Sequence, residues 1–263
     1  MILHLALLLQ TRTIMVRQED RPAVRVSTQV FRLWNPASGE PLAVVSYIAS
    51  VLPLTATERP IVMELTFSGD SKHPFARHDT SIVARLPFAS RAPRMNGYIL
   101  LPVDLAASSW TLKAEWPGLP DGQRWVERFE PLGRDTFALS DVVLGVEGEE
   151  VQGLVAAHVG TPVPRVLMKR AEFVAVYYQL KSDIARKDVL TTVRVMRVIG
   201  GKEQEEEMLR VGFRANVVPG VNEIQRDIDV SRLPGSRYYI DVTVSDSARH
   251  ASVTRREVLD LVN

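Results

Sequence analysis

The chain predicts an all-β fold: two tandem, antiparallel β-sandwiches of immunoglobulin-like or fibronectin-like type. Three observations carry that prediction. A pattern occurs twice, 128 positions apart: Leu100, Leu105, Trp110, Leu112, Ala114 and Trp116 recur in type as Ile228, Leu233, Tyr238, Ile240, Val242 and Val244. No window of a dozen residues keeps an apolar stripe at helical spacing without a proline or glycine interrupting it. Turn signals such as Asn35-Pro36, Asn96-Gly97, Asp121-Gly122, Gly200-Gly201 and Pro219-Gly220 recur at intervals suited to short strands. Each copy of the pattern supplies one apolar sheet face that needs a core of its own.

The elements follow in chain order. Residues 2–9 are almost wholly apolar, yet eight residues fall far short of the roughly 20 that span a bilayer as a helix. The favoured reading of residues 1–20 is a first strand or a docking arm. A shortened export signal, or an apolar tip touching membrane or a partner, is the alternative. Strands are expected at 24–33, 42–52, 61–68, 82–86, 110–116 and 124–129, completing a first sandwich over residues 21–145. Ile61, Met63, Leu65 and Phe67 alternate with Val62, Glu64, Thr66 and Ser68, a strand with one apolar face. The acidic stretch at 147–150 interrupts the apolar pattern and marks the boundary. A second sandwich over residues 150–263 is expected to use strands at 173–180, 191–199, 209–214 and 238–245. In the last, Tyr238, Ile240, Val242 and Val244 alternate with Tyr239, Asp241, Thr243 and Ser245.

Composition narrows the function more by exclusion than by assignment. Thirty-two basic and 31 acidic side chains leave a net charge of +1, so no general field draws in nucleic acid. The chain has no cysteine, which removes disulfides, thiolate catalysis and cysteine-ligated metals together. No Gly-x-Ser-x-Gly elbow and no glycine-rich phosphate loop is present. No cofactor is implied.

Several residues remain as candidates. His73 and His78 stand near Asp70 and Asp79 and have the chemistry of a metal site, but Ser71, Pro74 and Arg77 read as a solvated turn. Ser140-Asp141 is read within a strand, where neighbouring side chains face opposite ways. Its aspartate is expected to accept backbone hydrogen bonds rather than to act as a base. The run Glu203, Glu205, Glu206 and Glu207 reads as a solvated hairpin tip. Arg165, Lys169 and Arg170, with Arg255 and Arg256, form a potential basic patch for phosphate headgroups or an acidic partner. Trp110 and Trp116 share an apolar face and are expected in the core. Trp34 precedes a turn and Trp125 lies in a more polar strand, so these two are expected as surface anchors. The partner-binding residues expected from the sequence are therefore Ile2, Leu5, Leu8, Trp34, Trp125, Arg165 and Arg170.

The segment 136–144, with its Leu139-Ser140-Asp141 centre, precedes a sandwich that closes on Leu233-Pro234-Gly235, Tyr238, Ile240, Val242, Val244 and Asp246. This order resembles the C-terminal part of bacterial GWxTD-domain proteins, an envelope-associated group without assigned chemistry, over roughly residues 129–261. The Gly-Trp-x-Thr-Asp sequence itself is absent. The resemblance implies a recruited structural subunit of a membrane or envelope complex. One setting it suggests is the extrinsic subunit of a gemmatimonad photosynthetic reaction-centre and antenna complex. That placement is membrane-extrinsic, with peripheral membrane contact, on the periplasmic side ahead of the cytoplasmic face. The expectation is a non-catalytic scaffolding protein whose partners are other subunits. The alternative is a carbohydrate-binding or adhesive module built on the tryptophans.

Overall fold

The computed structural model describes residues 23–52, 61–68, 76–84, 94–103, 107–115, 123–129, 132, 136–146, 167–169, 173–199 and 204–262. Among them the chain is all-β, with one 3-10 turn at Ser247–Arg249. The strands are β1 (Ala23–Trp34), β2 (Pro41–Leu52), β3 (Ile61–Ser68), β4 (Ala76–Ala84), β5 (Arg94–Pro102), β6 (Ser109–Glu115), β7 (Gln123–Arg128), β8 (Phe137–Leu139) and β9 (Val143–Val146). They continue with β10 (Leu167–Lys169), β11 (Phe173–Ser182), β12 (Arg186–Ile199), β13 (Gln204–Val217), β14 (Gly220–Asp229), β15 (Ser236–Asp246) and β16 (Ala251–Val262).

Strand order repeats along the chain. One sheet runs β1-β2-β5 and a second β4-β3-β6-β7; later, one runs β8-β11-β14, with β9 also on β11, and another β13-β12-β15-β16-β10. Shifted by 128 positions, β3, β4, β5, β6 and β7 fall on β12, β13, β14, β15 and β16. The repeat seen in the apolar pattern is thus a repeat of topology. The pairings of β3 with β4 and β6, of β6 with β7, of β11 with β8, β9 and β14, of β12 with β13 and β15, and of β15 with β16 are antiparallel; the short β10–β16 contact is parallel.

The chain divides into two compact units: residues 1–27, 48–95 and 107–130, and residues 28–47, 96–106 and 131–263. This differs from the boundary expected at 145–150. Residues 136–146 supply β8 and β9, which pair with β11, and so belong with the C-terminal strands.

In the first unit, Leu65 and Phe67 of β3 stand opposite Leu112 and Trp110 of β6, and all four are buried. Trp110 is in the core as its alternation requires; Trp116 lies outside the described residues.

In the second unit, the sheets β8-β11-β14 and β13-β12-β15-β16 pack face to face. Val174, Val176, Tyr178 and Leu180 of β11 meet Val193 and Val195 of β12 and Tyr238, Ile240, Val242 and Val244 of β15. Each such side chain, fully buried, contributes roughly 1.5–3 kcal/mol. The Tyr238 hydroxyl donates to the Pro234 carbonyl at 2.6 Å, pinning the start of β15 to the turn before it. Immunoglobulin-type sandwiches use the same corner device.

β11 is buried on its other face as well. Tyr177, with Val143 of β9, packs against Phe31 and Leu33 of β1, Val44 of β2 and Leu100 of β5. The second unit therefore has three layers, with β11 in the middle one.

Candidate functional site

A largely buried polar cluster lies on this second face of β11. Asp141, between β8 and β9, takes both Arg32 Nε (2.8 Å) and Nη2 (2.7 Å), and its Oδ2 accepts the Arg32 backbone N–H at 2.8 Å. The Asp141 N–H returns a bond to the Arg32 carbonyl at 3.0 Å. Side chain and backbone together clamp β1 onto the segment 140–142. The expectation that Asp141 serves backbone hydrogen bonding holds, although residues 140–142 form a break between two strands.

Ser140 is equally committed. Its Oγ accepts the Gln179 N–H at 2.8 Å and donates to the Asp141 carbonyl, while its N–H donates to the Gln179 carbonyl. A relay continues from Gln179: Oε1 accepts the Trp34 backbone N–H at 2.6 Å, Nε2 donates to the Tyr177 hydroxyl, and that hydroxyl donates to Glu223 at 2.6 Å. Burial, followed by the Glu223 carboxylate, pushes the Tyr177 phenol far above its ordinary range. Burial also raises Tyr178 to about 12, on the opposite face, where its hydroxyl donates to Thr191.

Two further clusters involve β12 and β15. Arg186 donates to Asp246 at 2.8 Å and to the Ser182 hydroxyl at 2.9 Å, and stacks over Phe137 with 4.4 Å from its guanidinium carbon to the ring centroid. Asp246 also caps the 3-10 turn through the Ala248 N–H, so this pair ties the β11–β12 turn to the β15–β16 turn. On the outer face of the five-stranded sheet, Asp241 is 2% exposed and held by Arg194 at 3.2 Å and by both Nε and Nη2 of Arg256. Arg256 lies over the Tyr239 ring and extends to Glu205 on β13 at 2.6 Å; hydrogen bonding to Asp241 raises its affinity for its proton. These contacts hold strands together, and the carboxylates in them are neutralised where they stand.

The residues expected as partner anchors fare differently. Trp34 is not a surface anchor: it is 1% exposed. Its ring packs on Leu132, Ala138 and Val221, with the Lys181 ammonium 5.9 Å above it. The turn that made it look exposed folds over it instead: Asn35 Oδ1 accepts the N–H groups of Ala37 and Ser38, Gly39 takes a positive φ of 69°, and Lys181 donates to the Gly39 carbonyl. Trp125 lies in β7 opposite Leu112, and its side chain lies outside the described residues. So do Ile2, Leu5, Leu8, Arg165 and Arg170.

Other expectations change with the register. His78 and Asp79 are successive residues of β4, paired in register with Thr66 and Leu65, and their side chains lie outside the described residues. His73 and Asp70 lie outside the described residues. Glu205, Glu206 and Glu207 sit within β13 rather than at a hairpin tip, opposite Val198, Arg197 and Met196. Asn96-Gly97, expected as a reversal, lies inside β5. Arg32, Gln179, Glu223 and Asp241, which organise these clusters, carry no motif. Their only sequence signal is a polar residue within or beside an apolar run, as in the Phe31-Arg32-Leu33 and Tyr178-Gln179-Leu180 steps.

No protein-family model and no curated protein matches the chain. Among solved structures, the chain is similar to red sea bream transglutaminase, with 12% identity and a TM-score of 0.28, over 90% of this chain and 31% of that one. It is similar to a DUF4785 family protein from Legionella pneumophila, with 9% identity and a TM-score of 0.30, over 91% of this chain and 57% of that one. It is also similar to the β-glucuronidase of Parabacteroides merdae, with 11% identity and a TM-score of 0.28, over 83% and 28%. The chain thus spans less than two thirds of each of these proteins. No helix among the described residues is long and apolar enough to cross a membrane.

Proposed function

We propose that the chain is a non-catalytic β-sandwich module that binds and stabilises a larger assembly. The observation that supports this reading is how its buried charge is used. Asp241, Asp246 and Asp141 are each held by one or two guanidinium groups that bridge strands. The Ser140 hydroxyl is consumed by backbone groups on both sides. An acid–base or nucleophilic site needs a poised group aimed at open space, and these groups are spent on cohesion.

The setting follows from the resemblance to the GWxTD group: an extrinsic subunit on the surface of a membrane complex, contacting other subunits, with a photosynthetic reaction-centre assembly as one case. The carbohydrate-binding alternative required Trp34 and Trp125 on the surface together, and the burial of Trp34 weighs against it. A tagged copy extracted from native membranes in mild detergent should travel with other subunits in constant ratio. Recovery of the chain alone, from membrane and soluble fractions alike, would contradict the proposal.

A further inference from the structure

β13 is the longest unpaired edge among the described residues: fourteen residues, hydrogen-bonded to β12 on one side only. At about 3.3 Å per residue it extends roughly 46 Å. Long edges with free N–H and C=O groups are templates for pairing with another chain, and proteins blunt them with charge. Here the charge is divided by sign. Glu205, Glu206 and Glu207 occupy the first third; Arg210 and Arg214 occupy the rest. Between and beyond them Leu209, Val211 and Phe213 pack against the core while remaining partly exposed.

That division gives the edge a direction. Laid parallel against an identical edge, it would set carboxylates against carboxylates and guanidinium groups against guanidinium groups. Laid antiparallel about a two-fold axis at Arg210, it sets Glu206 of each copy opposite Arg214 of the other, while Arg210, bonded to Glu207 of its own strand, meets its own copy at the axis. We infer that β13 pairs with β13 of a second copy of this chain, joining the two five-stranded sheets into one continuous sheet. The contact is isologous, so it closes at two copies, and it covers Leu209, Val211 and Phe213 further. Glu205 and Glu207 already bond Arg256 and Arg210 within the chain. Glu206 has no ion pair among the described residues, and Arg214 donates only to the Asp188 carbonyl there. These two exposed side chains are the ones a second copy would engage.

Sedimentation of the full chain tests this across a wide concentration range. The expected result is a monomer–dimer equilibrium weakened by salt. Glu206→Arg and Arg214→Glu should each raise the dimer dissociation constant by about tenfold, and the two together should restore it. Both side chains are exposed, and circular dichroism of each variant checks that the fold persists. A wild-type chain that stays monomeric, charge variants that associate as the wild type does, or growth beyond two copies would each overturn the inference. In the last case the edge pairs with a different strand.

Discussion

The C-terminal sandwich has two outer faces, and each carries arginine–aspartate pairing. On the face of β11 the pair is Arg32–Asp141, with side chains 4% and 17% exposed. On the face of β15 the carboxylate of Asp241 is more deeply covered, at 2%, but the guanidinium groups that hold it, Arg194 and Arg256, are 36% and 43% exposed. The first face is roofed by Phe31, Leu33, Val44 and Leu100; the second is open to water. The chemistry is the same and the surroundings are not. A guanidinium enclosed by protein depends on its carboxylate, whereas one at the surface can turn to solvent.

The largest expected effect therefore comes from Asp141→Ala. It removes the acceptor of three Arg32 hydrogen bonds and should destabilise the protein by about 3–5 kcal/mol, read from the urea midpoint. A loss below about 1 kcal/mol would mean that the β11 face is wetter than the packing indicates.

Alkaline pH provides the second probe. The folded-state values of Tyr177 and Tyr178 are raised above the ordinary 10.0, Tyr178 to about 12. A raised value means that the folded protein resists losing a proton the unfolded chain gives up. The stabilisation is complete below pH 10 and declines above it, by about 1.4 kcal/mol per pH unit for each tyrosine. Between pH 10 and 12, Tyr177→Phe should remove about half of that slope in denaturation curves. An unchanged slope would place Tyr177 in contact with water.

Asp241→Ala should cost less than Asp141→Ala, about 1–2 kcal/mol, despite the low exposure of Asp241, because both of its arginines retain access to water. Equal losses at the two sites would erase the distinction between the faces. The smallest effect belongs to Glu205→Gln. It loosens a pair 25% and 43% exposed and should change stability by roughly 0.2–1 kcal/mol, less in high salt.

The same contrast explains what could be read along the chain. β15 was legible because one face is apolar and the other polar. β14 and β16 were not: β14 is an edge strand with half of its residues exposed and no clean alternation, and the Arg255-Arg256 step of β16 resembles a surface patch. β11 was found as a strand, but burial of its second face was not visible. Tyr177 and Gln179 acquire it from β1, β2 and β5, more than 70 positions earlier. Trp34 was misplaced for the same reason, since its covering residues, Leu132, Ala138 and Val221, are distant in sequence. Local pattern reports one face of one strand, and layering is decided elsewhere in the chain.

That layering makes residues 28–34 of β1 and 41–47 of β2 part of the C-terminal unit's cooperative structure. Native-state hydrogen exchange tests it most directly. The amides of residues 29–34 and 43–45 should open with the same free energy as those of 174–180, and Asp141→Ala should lower both together. Exchange at 29–34 and 43–45 that runs orders of magnitude faster, while β11 stays protected, would contradict the three-layer account.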